Sequence, residues 1–273
     1  MKKNFPNFIV VGAKRSGTTS LYYYLKSTNG IFLPERKYVT FFLGRKSDDK
    51  LNENQYLKFY SKVSNEKIIG EVNPNYLNDA ESPSLIKKYI PNCKIIILLR
   101  NPIERTFSEY NSEKMKEKLN CSFHDAIKNN TNDIVTNSLY YEVIKNYIEK
   151  FGMQNVGIWL SENLNSNPKN VLHEIFNFLG ISAKIPDVSK NYSTNSIPRN
   201  IFFKKILRHK KILKFLSKLL LFNNVRQKLS EFTYKPVPKS EIDNEDKIFL
   251  KNFFKNDSKN LESYLKLDLS SWS

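Results

Sequence analysis

A chain of 273 residues is long enough to bury a core of ordinary size for one α/β domain and is short for two. With 40% hydrophobic and 26% charged residues it has the balance of a folded protein and not of a disordered one. The formal charge of +17 calls for a polyanionic partner such as nucleic acid, an anionic membrane, an acidic glycan or a phosphate-rich cofactor. No zinc finger, GXXG loop or basic helix running into heptads is present, which disfavours nucleic acid.

Cys93 and Cys121 make no disulfide framework, and they lack the paired Cys/His spacing of a structural metal site. The first apolar run meets Gly12 and then Lys14-Arg15 too early for the core of a secretory signal, and no stretch approaches the length of a membrane span. Cytoplasmic residence is therefore the default expectation.

Phe8 to Val11 is a short, continuously apolar, β-branched run, as in a strand buried on both faces. A glycine loop follows, then a helix over Thr18–Leu25 with Leu21 and Leu25 on its apolar face. The run Lys67 to Gly70 predicts a second strand, with Glu71-Val72-Asn73-Pro74 as a turn. Ile95 to Leu99 reads as the centre of a parallel sheet. Asn101-Pro102-Ile103-Glu104 then supplies a helix start, with Asn as N-cap, Pro first in the helix and Glu three after the cap. Tyr140, Ile144, Tyr147 and Phe151 share a helix face ahead of a strand at Val156 to Leu160. Strand, loop and helix repeated in this way predict an α/β fold with right-handed crossovers, whose working residues lie at the carboxyl ends of the strands.

Past Pro198-Arg199 the character changes. Residues 201–230 are basic and aliphatic, and a helix from about Glu241 to Leu265 closes the chain. The middle segment reads either as a helical subdomain on the sheet or as a surface for an anionic membrane or acceptor. His124 and His173 fall in helical patterns and read as structural, whereas His209 lies among lysines and is placed to meet an anion.

The first loop, Gly12-Ala13-Lys14-Arg15-Ser16-Gly17-Thr18-Thr19, has the G-x-x-x-x-G spacing in which backbone amides and a helix N-terminus hold phosphate oxygens. Thr18 stands where a nucleotide triphosphatase needs lysine, and positive charge sits instead at Lys14 and Arg15. A metal-dependent nucleotide kinase or hydrolase is the rival enzyme reading. A basic protein docking on nucleic acid or anionic membrane is the non-enzymatic one. A second cationic patch opens the helix after the strongest strand, where Asn101, Arg105 and Ser108 share a face and Arg100 sits at the strand exit. Taken alone, Arg105 and Glu109 also suit an i, i+4 surface pair.

Arg15-Ser16-Gly17-Thr18-Thr19 resembles the 5′-phosphosulfate loop of the sulfotransferase family, whose donor is 3′-phosphoadenosine 5′-phosphosulfate (PAPS) and whose product is adenosine 3′,5′-bisphosphate. Arg100 to Tyr110 resembles the family's 3′-phosphate motif, with Arg100 and Ser108 at the phosphate-binding positions. The resemblance implies a P-loop NTPase-like core with a central parallel sheet flanked by helices, plus a helical C-terminal extension. It implies one sulfotransferase domain over 1–273, in which 1–200 form the donor-binding core and 201–273 a basic helical part packed on it. It further implies donor contacts from Lys14, Arg15, Ser16, Gly17, Thr18, Thr19, Ser20, Arg100, Ser108 and, closing over the 3′-phosphate, Arg199. Arg15 is the implied catalytic cation, worth ~3 to 4 kcal/mol in the transition state by comparison with an oxyanion-hole donor. No metal is implied.

Family members often carry Lys-Glu-x-His-Phe-Phe, whose glutamate is commonly the general base. Here the segment is Lys37-Tyr38-Val39-Thr40-Phe41-Phe42, so Lys37 remains, to support the leaving sulfonate, and the glutamate is Tyr38. Glu71 and Glu35 are the replacement candidates, with Glu71 slightly preferred for its place at a strand end; binding loop amides or pairing with Lys14 or Arg15 is its alternative role. The segments around Trp159–Leu164, Phe178–Gly180, Asn195–Arg199 and Asp268–Trp272 extend the resemblance over nearly the whole chain. It implies a saccharide or lipid-linked saccharide as acceptor, as in heparan sulfate and other carbohydrate sulfotransferases.

Overall fold

A computed structural model describes residues 4–44, 51–189, 196–198, 234–236 and 241–272. Its centre is a five-stranded sheet built from β1 (Phe8–Gly12), β2 (Ile31–Phe32), β3 (Ile68–Val72), β4 (Lys94–Leu99) and β5 (Val156–Leu160). The order is β2-β3-β1-β4-β5 with every pairing parallel, so β1 is central and its carboxyl end lies between those of β3 and β4.

Burial on both faces explains why β1 and β4 are continuously apolar. Ile9, Val11, Ile95, Ile97 and Leu99 join one core cluster, while Phe8, Val10, Ile96 and Leu98 join the other. The first face is covered by α2 (Glu53–Leu57), α3 (Ser82–Tyr89) and α6 (Tyr141–Phe151) through Tyr56, Ile86, Ile144, Tyr147 and Phe151. The second is covered by α1 (Thr18–Lys26), α7 (Ser161–Ser166) and α8 (Pro168–Leu179) through Leu21, Leu25, Leu164, Leu172 and Ile175. Gly70 is needed where these layers meet, because a Cβ there would lie 2.0 Å from the Phe8 ring.

Outside the sheet, α4 (Pro102–Met115) and α5 (Phe123–Lys128) form a third cluster with α9 (Asn244–Leu265), in which Leu250 and Phe254 meet Tyr110, Ala126 and Ile127. Asp257 of α9 accepts the backbone N–H groups of Tyr140 and Tyr141 at 2.8 and 3.1 Å and so caps α6 from a distance. Trp272 packs on Tyr140 with ring centroids 5.8 Å apart. Two short strands, β6 (Ser196–Pro198) and β7 (Tyr234–Pro236), pair antiparallel.

The structure corrects two boundaries and one cap. Glu71 and Val72 belong to β3 and the turn starts at Asn73, whose backbone N–H reaches Val10 O at 3.0 Å. The last long helix starts at Asn244 and not near Glu241. Asn101 caps α4 through Oδ1, which accepts from Ile103 N at 3.0 Å, but Glu104 does not close the capping box. Glu104 pairs with Arg100 at 3.1 Å, and the Asn101 N–H goes to Glu162 at 2.8 Å. Arg199 and residues 201–230, His209 included, lie outside the described residues.

Candidate active site

The loop from Ala13 to Gly17 leaves the sheet at the carboxyl end of β1. Gly12 has no room for a side chain, since a Cβ would stand 2.5 Å from that of Leu77. Gly17, at φ 85°, turns the chain into α1 in the left-handed region that glycine tolerates. No side chain caps α1 and its first turn holds no acid. Its leading amides, which have no intrahelical acceptors, therefore face the opening with the positive end of the helix dipole behind them.

The two cationic patches are one site, because β1 and β4 are neighbours. Arg15 Nε donates to Ser108 Oγ at 3.1 Å. Arg100 Nη1 reaches the Arg15 carbonyl at 3.3 Å, and Arg105 Nη1 reaches that of Lys14 at 3.4 Å. Burial lowers the affinity of the Arg15 guanidinium for its proton; Glu109 opposes this, and Arg100 and Arg105 add to it. Arg105 does pair with Glu109, at 3.4 Å, but the pair is buried and not on the surface: Arg105 is 1% exposed and also donates from Nε to Ser138 Oγ at 2.6 Å and from Nη2 to Ile134 O at 3.1 Å. It is a strut beneath the loop, and its place within the 3′-phosphate motif was the available signal.

Ser16 is fully enclosed, so its hydroxyl does not face the opening and its contribution there is backbone; Thr18 and Ser20 are buried as well. Thr19 is half-buried and accepts from Lys37 Nζ at 2.7 Å, which brings the loop after β2 onto the start of α1. Burial pulls the Lys37 ammonium down to about 8. A cleft of about 260 Å³ lies beside the loop, lined by Lys14, Asn75, Asn78, Asp79 and Asn137 among others.

The two carboxylates proposed as bases fare differently. Glu35 is 80% exposed and bound to Lys26 at 2.6 Å, a contact that lowers its pKa. Glu71 has no exposed surface. Its Oε2 accepts from Tyr56 at 2.6 Å and Tyr60 at 2.8 Å, and its Oε1 lies 2.6 Å from Tyr76 Oη. Tyr76 Oη is also 2.6 Å from Val39 O. Tyr76 Oη has one proton to share between these two acceptors. Burial raises the Glu71 pKa against the opposing tyrosine bonds. Glu71 therefore touches neither loop amides, Lys14 nor Arg15; it binds the Tyr76 hydroxyl that also reaches Val39 O and presents no base to the cleft.

A glycine-bearing loop on a central parallel strand, locked to a cationic helix start on the next strand, defines an α/β protein of the P-loop type. Residues 5–235 match the family model described as the sulfotransferase domain, and the chain belongs to that family. Among curated relatives, the membrane-associated sulfotransferase kil1 of Dictyostelium discoideum is 35% identical over 38% of this chain and 22% of its own length. The bifunctional heparan sulfate N-deacetylase/N-sulfotransferase 4 of Mus musculus is 27% identical over 66% of this chain and 23% of its own. The heparan sulfate glucosamine 3-O-sulfotransferase 3B1 of Homo sapiens is 24% identical over 68% and 48%. The chain thus spans less than half the length of these relatives. A sulfotransferase from Alicyclobacillus acidocaldarius has the same fold, with a TM-score of 0.72 at 23% identity over 98% of this chain and 99% of that one. Among the described residues no helix is long and apolar enough to cross a membrane, and no three His, Cys, Asp or Glu side chains are grouped to hold a metal ion.

Proposed function

We propose that the protein transfers a sulfuryl group from PAPS to a hydroxyl or amine of a saccharide or lipid-linked saccharide. The observation that carries this reading is the direct contact of Arg15 with Ser108, which makes the phosphosulfate loop and the 3′-phosphate motif two ends of one donor cradle. The acceptor attacks sulfur in line, the sulfur–oxygen bond to the 5′-phosphate breaks, and adenosine 3′,5′-bisphosphate leaves with the electron pair. Charge builds on that departing phosphate, where α1 amides and the Arg15 cation are already fixed and Lys37 lies beside Thr19, so positioning and electrostatics carry the step. Arg100 and Ser108 hold the 3′-phosphate. The amide-lined cleft beside Lys14 suits an acceptor rich in hydroxyls. That two heparan sulfate enzymes are among the relatives supports a saccharide. The basic composition of 201–230 supports peripheral contact with an anionic membrane from the cytoplasmic side.

Calorimetric titration without metal tests the donor assignment. Adenosine 3′,5′-bisphosphate should bind roughly 10 to 100 times more tightly than 5′-AMP, as charge-assisted bonds to one further phosphate provide. Arg100→Ala should abolish most of that difference. Equal affinities for the two nucleotides would remove the 3′-phosphate role from Arg100 and Ser108.

A further inference from the structure

Sulfuryl transfer to an alcohol needs somewhere for the acceptor proton to go, and neither carboxylate supplies it: Glu35 is bound to Lys26, and Glu71 is sealed within its tyrosine cage. What the structure does place beside the start of α1, through Lys37, is Tyr38. Its backbone sits at φ 63°, a conformation that a bulky residue holds only where its surroundings impose it. The imposing contacts lie on either side. The Tyr38 N–H reaches Val72 O at 3.2 Å, and the next residue, Val39, is fully buried with its carbonyl taken by Asn73 Nδ2 at 2.6 Å. The ring is turned outward and is 44% exposed. Its hydroxyl lies 3.3 Å from Lys37 Nζ, which in turn lies 2.7 Å from Thr19 Oγ1 at the start of α1. Oη, Nζ and Oγ1 thus form a continuous file from the exposed ring to the donor loop.

We propose that Tyr38 is the catalytic residue on the acceptor side, taking the acceptor's proton on Oη while passing its own to Lys37 Nζ. This inference rests on the sulfuryl-transfer reading above. The step begins with neutral Lys37 and the Tyr38 phenol. As the acceptor oxygen bonds to sulfur, its proton moves to Tyr38 Oη and the phenolic proton moves to Nζ. The sulfur–oxygen bond to the 5′-phosphate breaks with its electron pair on phosphate. The step ends with the phenol restored and Lys37 an ammonium beside Thr19, where it neutralises charge on the leaving group.

Facing Lys37 are Thr19 and, with its ring centroid 6.0 Å from Nζ, Tyr22 of α1; Tyr38 faces it from its own loop. Among the described residues no carboxylate pairs with Lys37. A buried ammonium held near 8 gives up its proton within reach of neutrality, as a relay terminus must.

The test needs no known acceptor, because water serves as the smallest one. Donor hydrolysis is read as labelled sulfate released from sulfur-labelled PAPS, alongside calorimetric binding of adenosine 3′,5′-bisphosphate. Tyr38→Phe keeps the ring and removes only Oη; hydrolysis should fall on the order of 100-fold while bisphosphate affinity stays within about twofold, the margin expected of a group outside the donor contacts. Tyr38→Glu should recover most of the lost rate, and the rising limb of kcat/KM, near 8 in the native enzyme, should move into the carboxylate range of about 4 to 6. Full activity in Tyr38→Phe, no recovery in Tyr38→Glu, or a native enzyme that binds bisphosphate yet hydrolyses no donor would each overturn the relay. Failure of the native enzyme to bind bisphosphate would instead overturn the sulfuryl-transfer reading and the relay with it.

Discussion

Glu71 shows how one residue type takes opposite roles according to what folds around it. Three tyrosines from α2, the turn after it and the segment beyond β3 converge on one carboxyl group and exclude water from it. Replacing it with alanine removes the carboxyl acceptor shared by Tyr56 and Tyr60 and leaves a buried cavity among the tyrosines, and Glu71→Ala should lower unfolding free energy by about 3 kcal/mol. Glu71→Gln keeps an oxygen that accepts from the tyrosines and should cost about 1 kcal/mol or less, with little loss of sulfuryl transfer. The pH dependence follows from the raised folded pKa. Its stabilising share is complete below the unfolded value and is lost as pH rises through the folded one, so denaturant midpoints should converge between native and Glu71→Gln protein as pH climbs. A constant difference across pH would argue that the carboxyl is ionised in the fold. From sequence alone this role was hidden, because residues 56, 60 and 76 meet 71 only through the sheet, while Arg15, Lys37, Arg100 and Ser108 announce themselves by motif. Tyr38 was visible only as a missing glutamate.

At the scale of elements, legibility followed burial. The central strands β1 and β4 are hydrophobic throughout because helices cover both faces, and their boundaries were read to within a residue. The two-residue β2 is too short to leave a periodic trace, and β3 was cut short because a glutamate reads as a turn residue when its cage is unknown. The start of α4 shows a local rule met in part: Asn101 and Pro102 behave as their types require, but Glu104 is drawn off by Arg100. The start of α6 shows the opposite case, for its cap lies more than a hundred residues away. Removing that carboxylate in Asp257→Ala should cost about 1 to 2 kcal/mol, the worth of an N-cap acceptor, seen as a lower denaturant midpoint with an unchanged slope. A loss near zero would show that α9 holds α6 by packing alone.

For the whole molecule, the excess of positive charge and the strand order act together. The order β2-β3-β1-β4-β5 sets the carboxyl end of β1 between those of β3 and β4, so loops from all three border one opening, and the field of a chain at +17 favours an anion there. Adenosine 3′,5′-bisphosphate at a hundred times its dissociation constant should add about 2.7 kcal/mol of stability. In a protein of this length that corresponds to a rise in melting temperature of roughly 5 to 10 °C. A chelator should leave the rise unchanged, whereas dependence on magnesium would favour the nucleotide kinase or hydrolase reading.

The carbonyls of Lys14 and Arg15 are gripped by Arg105 and Arg100, so the curvature of the loop depends on where α4 stands. Two fragments that divide the nucleotide between them, one bearing each anion, are then linked thermodynamically, each raising the other's affinity by the same factor. A designed inhibitor reaching only one pole would forgo that reciprocity, and a tether joining both would inherit it.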